Sequence, residues 1–411
     1  MTKSEDLTES TGSATNRSAL MILFLTVFID LLGFGIVIPF LPLFAEQLHV
    51  RAAGIGLLVA IYSLTQLIFA PILGSFSDRM GRRPIILLGL FGSAVGYTIY
   101  GFSISFAWLL LSRTVHGAFA GTVSTAQAYV ADTTPPGRRT HAMGMIGAAF
   151  GLGFVLGPAI GGLLGHWGLR VPVFFAAALS LANLLFAAWR LPEPHLVQQR
   201  GLGDLARAIT EPWRRLPAIL ANPALGSLFG DAFLLTSAFA ILETTFALLA
   251  AQHFGYSATG IGGLLAFAGL IQALVQGYLV GKLAKRAGEF YLVIAGAVLT
   301  MVGMAPMGLT RSRDLLLVLL GVVAIGYGLA SPAIASLITK RTPAPEQGQV
   351  LGVNQSALSL ARIFGPLVGG ALYQLAGGTG AYIGAALLGA SVLLLSSATA
   401  SPAVAGANAE G

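Results

Sequence analysis

The chain is divided into twelve apolar segments, each about as long as a helix that crosses a membrane. Such a helix needs about 20 apolar residues to span the hydrocarbon of a bilayer. Only 9% of the residues are charged, against roughly a quarter in soluble domains. We therefore predict an all-α polytopic membrane protein whose surroundings are the lipid bilayer. The segments lie near 19–43, 54–74, 84–104, 107–131, 140–165, 171–190, 224–251, 258–280, 290–310, 315–338, 349–375 and 380–399.

The basic residues between these segments predict the orientation. With the N-terminus placed in the cytoplasm, seventeen Lys and Arg residues fall on the cytoplasmic side and four on the outer side. Arg113 and Arg362 lie inside predicted spans. The excess of Lys and Arg in cytoplasmic loops predicts that both termini are cytoplasmic. Because the net charge of +7 is sorted in this way, it does not indicate a nucleic-acid partner.

The sequence repeats itself once, which predicts two halves. GSFSDRMGRR at 74–83 is echoed by GKLAKRAGEF at 281–290, and GPAIGG at 157–162 by GPLVGG at 365–370. We predict six-helix bundles over 18–190 and 224–399, with tails at 1–17 and 400–411. A charged, proline-punctuated cytoplasmic linker at 191–223 joins the bundles. Repeats of this kind place a substrate site at their interface near the membrane midplane.

Several classes of site are excluded by composition. The chain has no cysteine, so disulfides, thiolate metal sites and thiol nucleophiles are absent. Its six histidines form no H-E-x-x-H pattern, and no G-x-x-x-x-G-K-[ST] phosphate loop is present. The acidic residues near the N-terminus and the length of the first apolar segment argue against a cleaved signal peptide. No metal or other cofactor is expected, and a proton gradient is the energy source that remains.

Three motifs resemble the major facilitator superfamily. GSFSDRMGRRP between the second and third spans is similar to its G-x-x-x-D-R-x-G-R-R/K signature. LLLSRTVHGAFAG at 109–121 is similar to its R-x-x-x-G motif, which is associated with proton coupling, and GLGFVLGPAIGG at 151–162 to the motif of its antiporters. IDLLGFGIVIPFLP at 29–42 and ETTFALLAAQHFGYSATGIG at 243–262 resemble the tetracycline and drug/proton antiporter branch.

The resemblance implies the major facilitator fold, with twelve helices in two pseudo-symmetric bundles that rock about a central site. It also implies a monomer in a membrane, and the compact loops suggest the inner membrane of a bacterium. The second copy of the signature departs from the first, because Lys285 stands where the first has Asp78. Any charge contact of Asp78 is therefore expected to lack a counterpart. The predicted conformational-switch residues are Gly74, Asp78, Arg79, Gly81, Arg82, Gly157 and Pro158.

Ionisable residues inside the predicted spans are the first candidates for a functional site, because charges are costly at that depth. Asp30 lies about 15 Å from the cytoplasmic end of its helix and Arg113 about 8 Å from the outer end of the fourth span. The small difference in depth predicts that they pair. A carboxylate beside a guanidinium stays ionised until a proton or a cationic substrate competes for it. A permanent structural pair is the alternative.

The second half offers its own charges. Glu243 in the seventh span and Arg362 in the eleventh are predicted to pair or to bind substrate, and Glu243 is a candidate second proton site. His116 is more simply explained as a packing residue and Asp231 as a structural carboxylate near the cytoplasmic end of its helix.

Neutral side chains complete the predicted substrate site. Gln127 and Asn354 are deep enough in their spans to contact a ligand, although most buried amides only satisfy helix contacts. Phe34 lies one turn beyond Asp30 and offers an aromatic wall. The predicted substrate contacts are Asp30, Phe34, Arg113, Gln127, Glu243, Asn354 and Arg362, and the predicted proton-coupling residues are Asp30, Arg113 and Glu243.

These observations favour a proton-coupled exporter of small lipophilic or amphipathic compounds, which is not an enzyme. One alternative is a symporter or uniporter for an organic anion, a sugar or a lipid, in which the two buried arginines hold the substrate. An intramembrane enzyme is a remote alternative, because Asp30 and Glu243 lie in different halves and at different depths.

Overall fold

Helices follow the apolar segments throughout the first half. A computed structural model describes residues 3–134, 136–194, 222–343 and 347–400. Most of the predicted linker and nearly all of the C-terminal tail lie outside these residues. The helices are α1 Lys3–Val37, α2 Leu41–Gln47, α3 Ala52–Met80, α4 Arg82–Gly101, α5 Phe106–Ala118, α6 Thr122–Thr133, α7 Pro136–Gly165 and α8 Arg170–Arg190.

The second half has a similar order of helices, but the helices are interrupted at different places. A π-helical turn at Val275–Leu279 separates α10 from α11. The helices are α9 Pro223–Phe254, α10 Ala258–Leu274, α11 Val280–Ala287, α12 Glu289–Met307, α13 Arg313–Lys340 and α14 Gln347–Ala400.

Several of the predicted spans differ from the helices observed. The span predicted at 107–131 is broken at 119–121 into α5 and α6, each too short to cross a bilayer alone. The spans predicted at 349–375 and 380–399 form the single helix α14, whose backbone is non-helical only at Ala376 and Gly377. In the described part of the chain, ten helical segments are long and apolar enough to cross a membrane. The chain is therefore a multi-pass membrane protein.

The internal repeat is visible in the backbone. Gly81 and Gly288 begin α4 and α12 at φ +100° and +85°, with ψ 161° and 154°. This conformation is essentially restricted to glycine. A second pair of positive φ values follows α2 at His49 and α9 at Gly255. Both pairs are separated by nearly the spacing found in the sequence, so the two halves share their turns.

The hydrophobic core is shared between the halves at one end of the molecule and divided at the other. The shared cluster combines residues such as Leu41 and Leu58 of the first half with Phe246 and Met304 of the second. A second cluster contains only residues of the second half and a third only residues of the first. The bundles are therefore joined at the end where α2 and α3 meet.

Glycines permit the closest approaches between the halves at this joined end. A Cβ at Gly56 of α3 would lie 2.1 Å from the carbonyl oxygen of Pro366 in α14. A Cβ at Gly162 of α7 would lie 2.9 Å from Cα of Gly262 in α10. Hydrogen bonds cross the same boundary: Gln252 Nε2 donates to Glu46 Oε1 (2.7 Å). Backbone-close packing of this kind is what small residues provide between membrane helices.

Candidate functional site

Asp30 lies in α1 and is held by hydroxyl groups. Ser93 of α4 donates a hydrogen bond from Oγ to Asp30 Oδ1 at 3.2 Å. The Thr122 hydroxyl, at the start of α6, also lies within hydrogen-bonding range of the carboxylate. The side chain is half-buried. These partners are neutral, and no cationic side chain in the described chain forms an ion pair with the Asp30 carboxylate.

Arg113 of α5 is not the partner of Asp30, and the predicted ion pair is wrong. Within the described residues no salt bridge joins Arg113 to a carboxylate, although the side chain is only 1% exposed. Its guanidinium instead lies 4.6 Å from the centre of the Tyr62 ring. The atoms Nε and Nη2 are buried and have no hydrogen-bond partner among the described residues. A cation–π contact replaces the expected carboxylate.

Tyr97 of α4 is a neighbour of both charged groups. Tyr97 follows Ser93 by one turn of α4, about 6 Å further along the helix. It is buried and lies within electrostatic range of both Asp30 and Arg113. A Cβ at Gly33, one turn after Asp30, would lie 3.6 Å from the Tyr97 ring. Tyr97 therefore lies near both charged groups, which form no ion pair with each other in the described chain.

In the second half, Glu243 and Arg362 are neighbours without forming an ion pair among the described contacts. They lie within electrostatic range of each other, and Tyr327 of α13 is close to both. Glu243 is half-buried, whereas Arg362 is exposed. The Tyr327 ring stacks on Phe239 at a centroid distance of 4.0 Å. Each half thus places a tyrosine beside one acidic and one basic group.

Phe34 belongs to a cluster of aromatic side chains. Its ring centre lies 5.7 Å from that of Tyr62, 6.2 Å from that of Phe154 and 6.5 Å from that of His116. His116 is buried and also packs edge-on against Tyr97 at 4.6 Å. These distances are typical of edge-to-face aromatic packing. The structure therefore brings Phe34 and His116 into one wall with Arg113.

The remaining predicted polar residues are dispersed. Gln127 is exposed on α6. Asn354 is 9% exposed and lines a cavity of about 60 Å³ with Thr236 and Ser331, inside the second half. Asp231 is buried and accepts a hydrogen bond from Ser396 Oγ (2.8 Å), which fits a structural carboxylate. No group of three or more described residues is arranged to hold a metal ion.

The switch motif forms a charge cluster at the turn between α3 and α4. Arg82 Nη1 lies 2.5 Å from Asp78 Oδ1, and Arg82 Nε donates to Asp132 Oδ2 at 2.7 Å. Arg82 also donates to the Ser77 hydroxyl. The guanidinium therefore ties the end of α3 to the end of α6. Arg79 is engaged in contacts of its own.

Glu193 caps this cluster from the end of the first half. Its carboxylate accepts hydrogen bonds from the backbone N–H groups of Arg82 (2.7 Å) and Arg83 (3.0 Å). A carboxylate at this position satisfies free donors and complements the helix dipole. A Cβ at Gly81 would lie 2.7 Å from the Glu193 carboxyl group. Gly81 is therefore required both by its backbone angle and by the space that Glu193 occupies.

The glycine motif of α7 has two partners. Gly157 packs on α1, where its Cβ would lie 2.5 Å from the carbonyl carbon of Gly35. The carbonyl oxygen of Pro158 faces α10 instead, 2.4 Å from a Cβ built on Gly262. A Cβ at Gly74 of α3 would have no described residue within 4 Å. The sequence predicted close packing by this motif. It did not predict that one face of α7 packs on the first half and another face on the second half.

Several residues of the site were missed in the sequence. Tyr62 and Tyr97 look like ordinary packing residues on apolar helices, and Ser93 and Glu193 have no motif of their own. One signal was available: Gly117 completes the R-x-x-x-G motif. A Cβ at Gly117 would lie 2.4 Å from the Tyr62 carbonyl oxygen. The glycine of that motif therefore admits the helix that carries Tyr62.

A family model described as the Major Facilitator Superfamily matches residues 23–366 and, separately, 281–410. The tetracycline resistance protein of class E from Escherichia coli is 33% identical over 87% of this chain and 88% of its own. Multidrug resistance protein 2 of Bacillus subtilis is 29% identical over 87% of this chain and 90% of its own. Both relatives are matched over almost their whole length.

Among solved structures, the human organic anion transporter MFSD10 (TETRAN) has a TM-score of 0.70 to this chain. It is 28% identical, and the match covers 93% of this chain and 99% of that one. The arrangement of helices described above is therefore shared with a transporter over the length of both chains.

Proposed function

The chain belongs to the Major Facilitator Superfamily, a family of transporters rather than enzymes, and we propose that it exports small amphipathic compounds in exchange for protons. The names of the tetracycline and multidrug resistance relatives support export of drug-like compounds. The proton gradient supplies the energy, since the sequence has no phosphate-binding loop for ATP.

The observation that carries this proposal is the environment of Asp30. Its carboxylate is half-buried and is bound by the hydroxyl of Ser93, and no guanidinium or ammonium group of the described residues pairs with it. A carboxylate so placed can bind a proton or neutralise a cationic substrate group, because no cation in the described part of the chain competes for it. Asp30 therefore exchanges one for the other as the protein changes conformation.

Alternating access follows from the uneven contact between the halves. We propose that α5 and α6 together make one crossing and α14 makes two, which gives twelve crossings with both termini in the cytoplasm. The joined end of the bundles then faces outward. Gly74 in α3 and Gly144 and Gly147 in α7 lie towards the opposite end, and a Cβ at each has no neighbour within 4 Å in the described part of the chain. This conformation is open to the cytoplasm, and those faces close together when the bundles rock.

The Arg82 cluster supports the closing motion. It joins α3, α4 and α6 to the segment that follows α8 through contacts of Arg82 with Asp78 and Asp132 and through the Glu193 cap. We propose that Gly74, Asp78, Arg79, Gly81 and Arg82 move as one rigid unit, with Gly157 and Pro158 forming the packing surface of α7.

The remaining predicted site residues have graded roles. Glu243 and Arg362 are mutually close and are proposed to bind substrate, with Glu243 as a second proton site. Phe34 supplies the aromatic wall. Gln127 and Asn354 are weaker candidates, because one is exposed on α6 and the other faces a cavity within the second half. We propose a monomer in a bacterial inner membrane, in line with the bacterial relatives.

Proton-coupled transport is tested in liposomes that contain the purified protein and a pH-sensitive dye. An imposed proton gradient is combined with a panel of lipophilic cations, zwitterions and organic anions. Substrate-dependent proton flux is expected in the wild type and should be lost in Asp30→Asn, because the amide cannot titrate. Asp231→Asn is the matched control, since Asp231 is a buried carboxylate bound to Ser396, and its flux should persist.

Unchanged proton flux in Asp30→Asn would overturn this role of Asp30. Movement of labelled compound without any proton flux in the wild type would favour a uniporter and would reject proton exchange. Size-exclusion chromatography and thermal unfolding of both variants establish that each remains folded.

A further inference from the structure

The exposed surface of α11 carries three positive charges that no carboxylate of the described chain compensates. Lys282, Lys285 and Arg286 are all exposed, and none of them forms an ion pair with a described residue. Because an α-helix turns by about 100° per residue, the three side chains fall within about 100° of the helix circumference. These three residues form the basic face of α11.

The corresponding turn of the first half is different, because its positive charge is matched by carboxylates. There, Arg82 contacts the carboxylates of both Asp78 and Asp132. In the second half the acidic residue nearest in the sequence, Glu289, is bound to Lys340 instead. The basic face of α11 is therefore available to an anion that does not belong to the described chain.

Exposed apolar side chains border the basic face. Leu279 and Leu283 are exposed, and the exposed ring of Tyr278 has its centre 3.5 Å from Lys282 Nζ. Tyr278 and Leu279 belong to the π-helical turn between α10 and α11, and such turns are frequently found at functional sites. Cationic and apolar groups thus lie side by side on the surface. This combination fits an amphipathic anion better than an inorganic one.

The length of the span places this surface at the level of the lipid headgroups. The segment Ala258–Ala287 has 30 residues, whereas about 20 residues cross the hydrocarbon. In the proposed orientation Ala258 lies near the outer surface, so the last residues of the segment, which include α11, reach the cytoplasmic headgroups. Anionic lipids of the cytoplasmic leaflet attract Lys and Arg residues next to a membrane helix.

We propose that the basic face of α11 binds the phosphate group of an anionic phospholipid, whose acyl chains pack on Tyr278, Leu279 and Leu283. The phosphate oxygens accept charge-assisted hydrogen bonds from the ammonium and guanidinium groups. The acyl chains cover the apolar side chains that border these groups. This inference uses the membrane orientation proposed above, but it involves neither the transported compound nor the proton.

Lipid binding is tested with a single fluorescent label, since the chain has no cysteine of its own. Leu283→Cys carries a bimane group beside the basic face, and Leu163→Cys carries it at an exposed position near the end of α7. Each protein is placed in nanodiscs that contain brominated phosphatidylglycerol or brominated phosphatidylcholine. Bromine quenches the label, so the quenching curves give the relative binding constant of the two lipids.

Phosphatidylglycerol should bind at least about fivefold more tightly than phosphatidylcholine beside the label of Leu283→Cys, because only the first lipid has a net negative charge. The two lipids should differ by less than about twofold beside the label of Leu163→Cys, where no basic cluster is present in the described chain. Equal binding of both lipids at Leu283→Cys would overturn the proposal.

Neutralising the basic face in the Leu283→Cys protein should remove this preference. The substitutions are Lys282→Gln, Lys285→Gln and Arg286→Gln. A matched control removes three positive charges from the linker and should retain the preference. Its substitutions are Arg200→Gln, Arg214→Gln and Arg215→Gln. A preference that survives the first set, or that both sets reduce equally, would overturn the proposal.

Two further measurements identify the occupant. Millimolar inorganic phosphate, compared with sodium chloride at the same ionic strength, should leave the preference for phosphatidylglycerol unchanged. Its loss in phosphate alone would assign the basic face to a free anion and would overturn the proposal. A preference that appears only after Asp204→Asn and Glu211→Gln would assign the basic face to acidic residues of the linker, with the same consequence.

If the triple variant of the basic face fails to fold, Lys285→Gln alone replaces it. This exposed side chain should account for at least about a twofold part of the preference, and an unchanged preference would overturn the proposal. Lipid binding requires no proton flux, so its outcome is separable from that of the Asp30→Asn test.

Discussion

The turns that begin α4 and α12 occupy equivalent places in the two halves but carry charges of opposite sign. In the first half Arg82 at the start of α4 binds Asp132 at the end of α6. In the second half Glu289 at the start of α12 binds Lys340 at the end of α13. The preceding glycines, Gly81 and Gly288, have nearly the same φ and ψ. The repeat has preserved the backbone and the bridge while exchanging acid for base.

This finding modifies an expectation from the sequence. Lys285 in the position of Asp78 predicted that the first half's charge contact would have no counterpart. The ion pair between Asp78 and Arg82 indeed has no counterpart. Lys285 and Glu289 stand at the corresponding positions of the second half, and no ion pair joins them among the described residues. The second bond of Arg82 does have a counterpart, with its polarity reversed.

The two charge clusters, one around Arg82 and one around Glu289, differ in the number of charged groups that contact each other. Arg82 is 15% exposed and serves two carboxylates, with Glu193 close by on the backbone. The Lys340 side chain is 62% exposed and serves one carboxylate. A surface pair contributes little to stability, whereas a partly buried network depends on each of its members. We therefore expect the first cluster to tolerate change less well.

Exchanging the charges within each bridge gives the largest expected difference. Arg82→Asp combined with Asp132→Arg should destabilise the protein by roughly 2 to 4 kcal/mol, because the new aspartate faces Asp78 and Glu193. Glu289→Lys combined with Lys340→Glu should cost less than about 1 kcal/mol. The midpoints of thermal unfolding in detergent, followed by tryptophan fluorescence, measure both. Equal losses would mean that the two clusters are energetically alike.

Substituting the paired glycines gives an intermediate difference. Gly81→Ala and Gly288→Ala both force an L residue into a backbone region that costs about 1 to 3 kcal/mol. Gly81→Ala should lose about 1 kcal/mol more, because its methyl group displaces the Glu193 cap. No described residue lies within 4 Å of a Cβ at Gly288. The same unfolding measurement compares them, and a greater loss for Gly288→Ala would contradict the assigned role of Glu193.

Removing the exposed member of the second bridge should have the smallest effect. Lys340→Ala is expected to change stability by less than about 1 kcal/mol, because exposed ion pairs gain little over hydration. Lys285→Ala, which removes a lysine from the end of α11 close to Glu289 in the chain, is the control for a general loss of positive charge. A destabilisation by Lys340→Ala well beyond that of the control would show that the second bridge is as important as the first.

Hydropathy and repetition predicted most of the fold because the bilayer dictates segment length and polarity. They did not predict the break between α5 and α6, where Gly121 and its neighbours interrupt an apolar run. Nor did they predict that α14 continues past its turn with only Ala376 and Gly377 out of helical conformation. Local backbone geometry of this kind depends on packing against other helices, which a hydropathy pattern does not contain.

For the candidate site, the sequence named candidate residues but could not predict their contacts. The cost of buried charge directed attention to Asp30 and Arg113, and their estimated depths were compatible with pairing. Which groups meet depends on the rotation of each helix about its axis and on what lies between. Tyr62 contacts Arg113 and Tyr97 lies near both charged groups, but one sequence does not distinguish such a tyrosine from an ordinary packing residue. Glu193 acts on a turn that is 111 residues away in the chain.

The opposite polarity of the two bridges has a consequence for how the halves assemble after insertion. Two similar six-helix units in one membrane risk exchanging equivalent helices, since their apolar surfaces and turns resemble each other. If α12 packed in the place of α4, Glu289 would face Asp132, and α4 in the place of α12 would bring Arg82 against Lys340. Like charges meet in both mistaken pairings and opposite charges in both correct ones. The reversed bridge thus favours packing of each helix within its own half over packing in the other half.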